Sequence, residues 1–253
     1  MGATVEINGL GYPIAPAIGT PHIELGLLRG FRLRHGADIV ALPLGAQRVL
    51  AFLALHDRPV LRNAVAGALW LETSQARAGA NLRSALWRLN LPGLELITAT
   101  AAHLCLSPVV EVDVQQADRF AHAVLEHHVC LDQAERPALQ LGGDFLPDWP
   151  DAWAMIERER FRQLRLHALE ALCEQLTLDG RFGQAVDAGL AAVAAEPLRE
   201  SAHRVVISAY LAEGNKVEAV RQFRFYQQLA RQELDVQPSA LMRDLFTQQA
   251  RCG

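Results

Sequence analysis

In residues 74–91 (SQARAGANLRSALWRLNL) apolar side chains recur at Ala78, Leu82, Ala85, Leu86 and Leu89. The intervals i, i+4, i+7, i+8 and i+11 set them on one face of an α-helix, a face made for a core. Arg77, Asn81, Ser84 and Arg88 recur at i, i+4, i+7 and i+11 as a second stripe, polar and free of any acid. The same period predicts a helix over 44–56, with Leu50, Leu53 and Ala54 inward and Pro59 as its stop, and another over 62–70, with Val65, Ala68 and Leu69 buried. Gly67 weakens the second by about 1 kcal/mol relative to Ala. Ahead of these helices the period is two: Leu25, Leu27, Phe31 and Leu33 alternate around Arg29 and Gly30, and a turn over 35–38 leads to a strand over 39–42. Behind them, 94–97 and 104–106 are β-formers flanking a polar tip over 98–103, as in a hairpin. Strands, three helices and a hairpin in that order predict a winged helix–turn–helix, whose third helix enters the major groove.

The second half has another rhythm. Val112, Asp113 and Val114 read as a short connection, and from Ala117 the chain turns helical and acidic. Residues 143–153 (GDFLPDWPDAW) combine two prolines with two tryptophans into a turn carrying large apolar anchors, and 157–176 is a long helix with Phe161, Leu164, Ala168 and Leu172 inward. Leu172, Leu176, Ala185 and Ala192 recur 34 residues later as Val206, Tyr210, Ala219 and Tyr226, and Asp179-Gly180 recurs as Glu213-Gly214. Thirty-four residues is the tetratricopeptide period. The expected fold is therefore an α+β winged helix–turn–helix domain over 23–110, preceded by a Gly- and Pro-rich arm over 1–22. An all-α tetratricopeptide-like helical-repeat domain follows over 111–253.

The run LPLGAQRVLAFLALHDRPVLRNAVAGALW together with ANLRSALWRL resembles the OmpR-type winged helix, and residues 196–238 are the most diagnostic stretch of a wider likeness. Over residues 25–248 the chain resembles the bacterial transcriptional activator domain proteins, of which the Streptomyces antibiotic regulatory proteins are known members. Pairing Leu82, Leu86 and Leu89 with that family's core positions implies base contacts from Ser84 and Arg88 and phosphate contacts from Arg77, Asn81 and Arg83. Trp87 completes the expected DNA-binding set. The resemblance further implies promoter direct repeats bound by two copies head to tail, and RNA polymerase as a partner of the helical domain. Three departures stand out: Leu61 replaces the Ser before the second helix, the wing tip at 99–102 lacks the usual basic residue, and Asn90 stands where a further Arg is common.

Charge sharpens the division. The net charge is −4, but residues 22–107 hold nine Arg against five acids, while 108–253 hold fifteen basic and twenty-two acidic residues. A basic module joined to an acidic one suggests a polyanion on one side and a different partner on the other. Every cation but Lys216 is Arg, the residue that binds phosphate and guanine edges bidentately, although a GC-rich genome gives the same bias. Cys105, Cys130, Cys173 and Cys252 have no paired spacing, and His122, His127, His128 and Cys130 lie at a helix end without a second ligand pair, so neither a metal nor another cofactor is expected. No segment has the length of a membrane span and no signal-peptide pattern opens the chain, which points to the cytoplasm. Phosphate-loop, nucleophile-elbow and paired-carboxylate motifs are absent, so no enzyme is expected. Two functions compete: a sequence-specific DNA-binding activator, and a non-catalytic scaffold in which a degenerate winged helix contacts protein. Salt separates them, because phosphate binding releases counterions.

Overall fold

The computed structural model describes residues 22–128, 138 and 141–249. The expected arm up to residue 21, Cys130 and Cys252 lie outside them. The described chain parts into two units. One holds residues up to Leu25 and Arg32–Val112; the other holds Gly26–Phe31 and everything from Asp113.

The first unit is built on two small sheets and three helices. Strands β1 (Ile23–Gly26), β2 (Arg32–His35) and β3 (Asp38–Ile39) lie in one sheet with β7 (Val110–Val112), in the order β3-β2-β1-β7. β7 runs parallel to β1, pairing Ile23 with Val110 and Leu25 with Val112. Val112, expected in a short connection, is thus a buried sheet residue, as is Val110. The alternation expected through Leu25–Leu33 is broken at Arg29 and Gly30, whose φ values are 68° and 121°. The strand expected over 39–42 stops at Ile39, which is exposed, although Leu42 is buried.

Helix α1 (Leu44–Ala54) buries Ala46 and every residue from Val49 to Ala54. A helix apolar nearly all round belongs at the centre of a domain. It packs against α2 (Arg62–Leu69), α3 (Gln75–Leu89) and β6 (His103–Leu106). β4 (Val60–Leu61), a strand too short to show a period, pairs with β6, and β6 pairs with β5 (Ile97–Ala99). The hairpin strands therefore reach into the expected tip: Thr98 faces Cys105 and Ala99 faces Leu104, leaving a tip of Thr100, Ala101 and Ala102. In α2 the buried side is Val65, Ala66 and Leu69, with Ala68 only half-buried.

The second unit begins with α4 (Asp113–Leu125), and its longest element is the 27-residue α5 (Ala152–Leu178). The Asp113 carboxylate accepts the Leu27 and Leu28 amides at 2.8 and 3.0 Å, and the Arg29 amide donates to the Asp144 carbonyl. The Pro–Trp turn is anchored as its composition predicts. Phe145 and Leu146 are buried, Trp149 stacks on Phe31 at 6.2 Å, and the Arg158 guanidinium donates to the carbonyls of Phe145, Leu146 and Trp149. Gly143 (φ 97°) is required where it is: a Cβ there would lie 2.5 Å from Arg29 Cγ.

The repeat is realised as two helical hairpins. α5 turns at Gly180 (φ 72°) into α6 (Phe182–Ala195), and α7 (Glu200–Glu213) turns at Gly214 (φ 89°) into α8 (Lys216–Leu234). Leu172, Leu176, Ala185, Ala192, Val206, Ala219 and Tyr226 are all buried; Tyr210 and Leu164 are only partly so. α9 (Ala240–Gln249) closes the last hairpin with Met242 against Ile207, Leu211 and Tyr226.

Candidate nucleic-acid interface

The α2–turn–α3 segment is fixed from behind. The Arg48 guanidinium on α1 donates to the Leu69 carbonyl, the last of α2, and lies 5.8 Å from the centre of the Trp70 ring. Thr73 Oγ1 donates to the Trp70 carbonyl at 3.0 Å, tightening the turn. Ser74 then serves as N-cap, its hydroxyl accepting the Arg77 amide at 3.4 Å. Caps of this kind satisfy one of the first-turn amides that a helix leaves without partners. Neither Arg48 nor Arg62 was legible as a positioning residue, since each acts on a carbonyl whose place only the fold decides.

Ala78, Leu82, Ala85 and Leu89 form the buried face of α3. Leu86 does not belong to it. At 100° per residue it sits at the margin of that face, half-buried, and it lines an open cavity of about 520 Å³ with Arg62, Leu89, Leu94 and Ile97. Arg77, Arg83, Ser84, Trp87 and Arg88 are exposed; Asn81 is half-buried. The stripe Arg77, Asn81, Ser84 and Arg88 runs beside the buried face, whereas Trp87 stands nearly opposite it. Trp87 is 69% exposed, and the Arg88 guanidinium carbon lies 4.8 Å from the centre of its ring. The Arg83 guanidinium leans back over Gly79, with Nη1 3.6 Å from where a Cβ would stand. No acid occurs within α3, so three guanidinium groups share one helix surface with no carboxylate of their own helix to neutralise them.

Arg62, the first residue of α2, carries the wing: its amide donates to the Ala102 carbonyl at 2.9 Å and its Nε to the Thr100 carbonyl at 3.0 Å. The Thr100 hydroxyl accepts the His103 amide at 2.9 Å and closes the tip. The tip residues bear no positive charge. Among the described residues no group of His, Cys, Asp or Glu is placed to hold a metal ion. His122 is turned to the Asp118 carbonyl at 2.9 Å and His127 to Gln175 at 3.0 Å. No helix among the described residues is long and apolar enough to cross a membrane.

Comparison with known proteins places this architecture. The regulatory protein AfsR of Streptomyces coelicolor is 26% identical over 236 residues, a match spanning 88% of this chain and 24% of that protein. The chain thus spans about a quarter of this curated relative's length. The structure of Mycobacterium tuberculosis EmbR in complex with a low-affinity phosphopeptide matches with a TM-score of 0.60 at 22% identity, covering 92% of this chain and 66% of that one. That likeness extends over both the winged helix and the helical repeats. The bacterial transcriptional activator domain profile matches residues 110–248, more than half of the chain. The chain belongs to the bacterial transcriptional activator domain family, a family of transcriptional regulators.

Proposed function

We propose that this protein is a sequence-specific DNA-binding transcriptional activator, in which α3 enters the major groove and the helical unit contacts RNA polymerase or another copy of the chain. The observation that carries the reading is the exposed surface of α3, with Arg77, Arg83 and Arg88 and no acid, held in fixed pose by Arg48 and the Ser74 cap. Ser84 and Arg88 read base edges; Arg77 and Arg83 hold phosphates, joined by Asn81 through its exposed part. Two copies on direct repeats about one helical turn apart then present the same DNA face. The uncharged wing tip favours the competing scaffold reading, in which the winged helix binds protein.

The test is binding of the full chain and its variants to a randomised site library at two salt concentrations. Arg88→Ala should cost about 1–3 kcal/mol on the preferred site and relax the choice of base there. Arg77→Ala and Arg83→Ala should weaken all sequences alike, each flattening the slope of log affinity against log salt by about one unit. Affinity indifferent to salt would leave the scaffold. If Arg83→Ala rather than Arg88→Ala changed base preference, the reading face would centre on Arg83 and Trp87. For the helical unit, removal of 113–253 should abolish transcription in a reconstituted assay even at protein concentrations that restore promoter occupancy; full activation by the remainder would refute the polymerase contact.

A further inference from the structure

Trp87 is the one aromatic side chain of α3, and it is exposed rather than part of a buried core. Consecutive helix residues diverge by 100° and do not ordinarily face each other. Here they do, because the Arg88 side chain bends over the Trp87 ring to 4.8 Å, well within the range of a cation–π contact. A cation–π contact of this kind consumes no N–H donor, so the guanidinium keeps its N–H groups for a further partner. Among the described residues no hydrogen bond or ion pair engages the Arg88 side chain. Guanine is read through the guanidinium edge, by two parallel N–H donors to O6 and N7. A flexible Arg must be frozen in one rotamer to use it, and a neighbouring ring in cation–π contact restricts it beforehand. The exposed ring itself matches another group of the major groove, the thymine methyl, which is recognised by apolar contact.

We propose that Trp87 and Arg88 act as a single reading unit for a guanine with a thymine in the adjoining base pair, Trp87 being the positioning residue that presents the Arg88 edge to the guanine. The inference rests on α3 being the DNA-reading helix and deepens that reading by assigning a role to a side chain that donates no hydrogen bond to the guanine.

The experiment uses the full chain, wild type and with Trp87→Ala, Trp87→Leu or Trp87→Phe, in selection from a randomised duplex library, followed by affinities for the preferred site and for copies carrying 7-deazaguanine for the guanine or uracil for the thymine. Substitution of an exposed residue leaves the fold intact, which circular dichroism verifies. Trp87→Ala should lose about two- to fivefold of the guanine preference while the salt slope stays unchanged. Trp87→Phe should recover much of it, and Trp87→Leu, apolar but without a π face, should not. Uracil should weaken wild-type binding by roughly threefold and leave Trp87→Ala unaffected, because the lost methyl has no ring to meet. A guanine preference undiminished in Trp87→Ala overturns the reading unit and leaves α3 as the reading helix. A wild-type chain that selects no sequence at all overturns both.

Discussion

Leu61 has the backbone of an N-cap, φ −59° and ψ 134°, but no side-chain oxygen to accept a first-turn amide of α2. Its side chain is half exposed, so little burial is lost on replacing it. Leu61→Ser should therefore stabilise the protein by about 1 kcal/mol, visible as a higher urea midpoint with unchanged slope. Gly189 is the opposite case. A Cβ on it would meet Val206 Cγ2 at 2.5 Å and Cys173 Sγ at 3.1 Å, so α6 passes between α5 and α7 only without a side chain there. Gly189→Ala should destabilise by about 1–3 kcal/mol, read as a drop in Tm; Gly183→Ala, on the same helix with nothing within 4 Å, is the control that should not. His203 is buried with both ring nitrogens engaged, Nε2 donating to the Pro197 carbonyl at 2.9 Å and Nδ1 accepting from Gln222 Nε2 at 2.9 Å. Burial pushes its pKa below the ordinary histidine value, with the Pro197 carbonyl and the Glu200 charge acting weakly the other way. The unfolded chain then binds the proton more readily, so this stability is complete above pH about 6.5 and is lost as pH falls towards the lowered folded value. Urea midpoints at pH 7.5 and 5.5 should diverge in the wild type and diverge less in His203→Gln.

At the scale of elements, the long periodic segments were legible and the short or non-local ones were not. α1, α2 and α3 lie within two residues of the spans their periodicity predicts, and the 34-residue repeat becomes hairpins that turn at corresponding glycines, Gly180 and Gly214. β4 has two residues and no period to read. β7 does not show as a strand, and its last residue, Val112, reads as part of a connection, because its partner, β1, lies more than 80 residues earlier and only the fold brings them together. Leu86 fits the apolar spacing of α3, yet what lies over that margin of the helix is an open cavity rather than another element. For the interface, spacing revealed the exposed stripe; it did not reveal that Arg88 lies over Trp87, because a side-chain rotamer leaves no trace in residue order. β7 also decides where the winged helix can be cut. A fragment of 22–112 should give a dispersed amide spectrum and bind DNA weakly, whereas 22–110, keeping one residue of β7, should melt at lower temperature.

For the whole molecule, the +4 charge of residues 22–107 resides entirely in arginine, and the single lysine, Lys216, stands exposed at the start of α8, in the other unit. Cells commonly adjust the grip of a protein on nucleic acid by acylating lysine, which erases its charge. The α3 surface offers such chemistry nothing to act on, since guanidinium groups keep their protons throughout the physiological range. The same distribution serves the bench. Apart from the α-amine of the chain, an amine-reactive dye or biotin ester has one side chain to attack, at the first residue of α8, so the molecule can be tethered or made fluorescent there while every arginine of the winged helix stays unmodified.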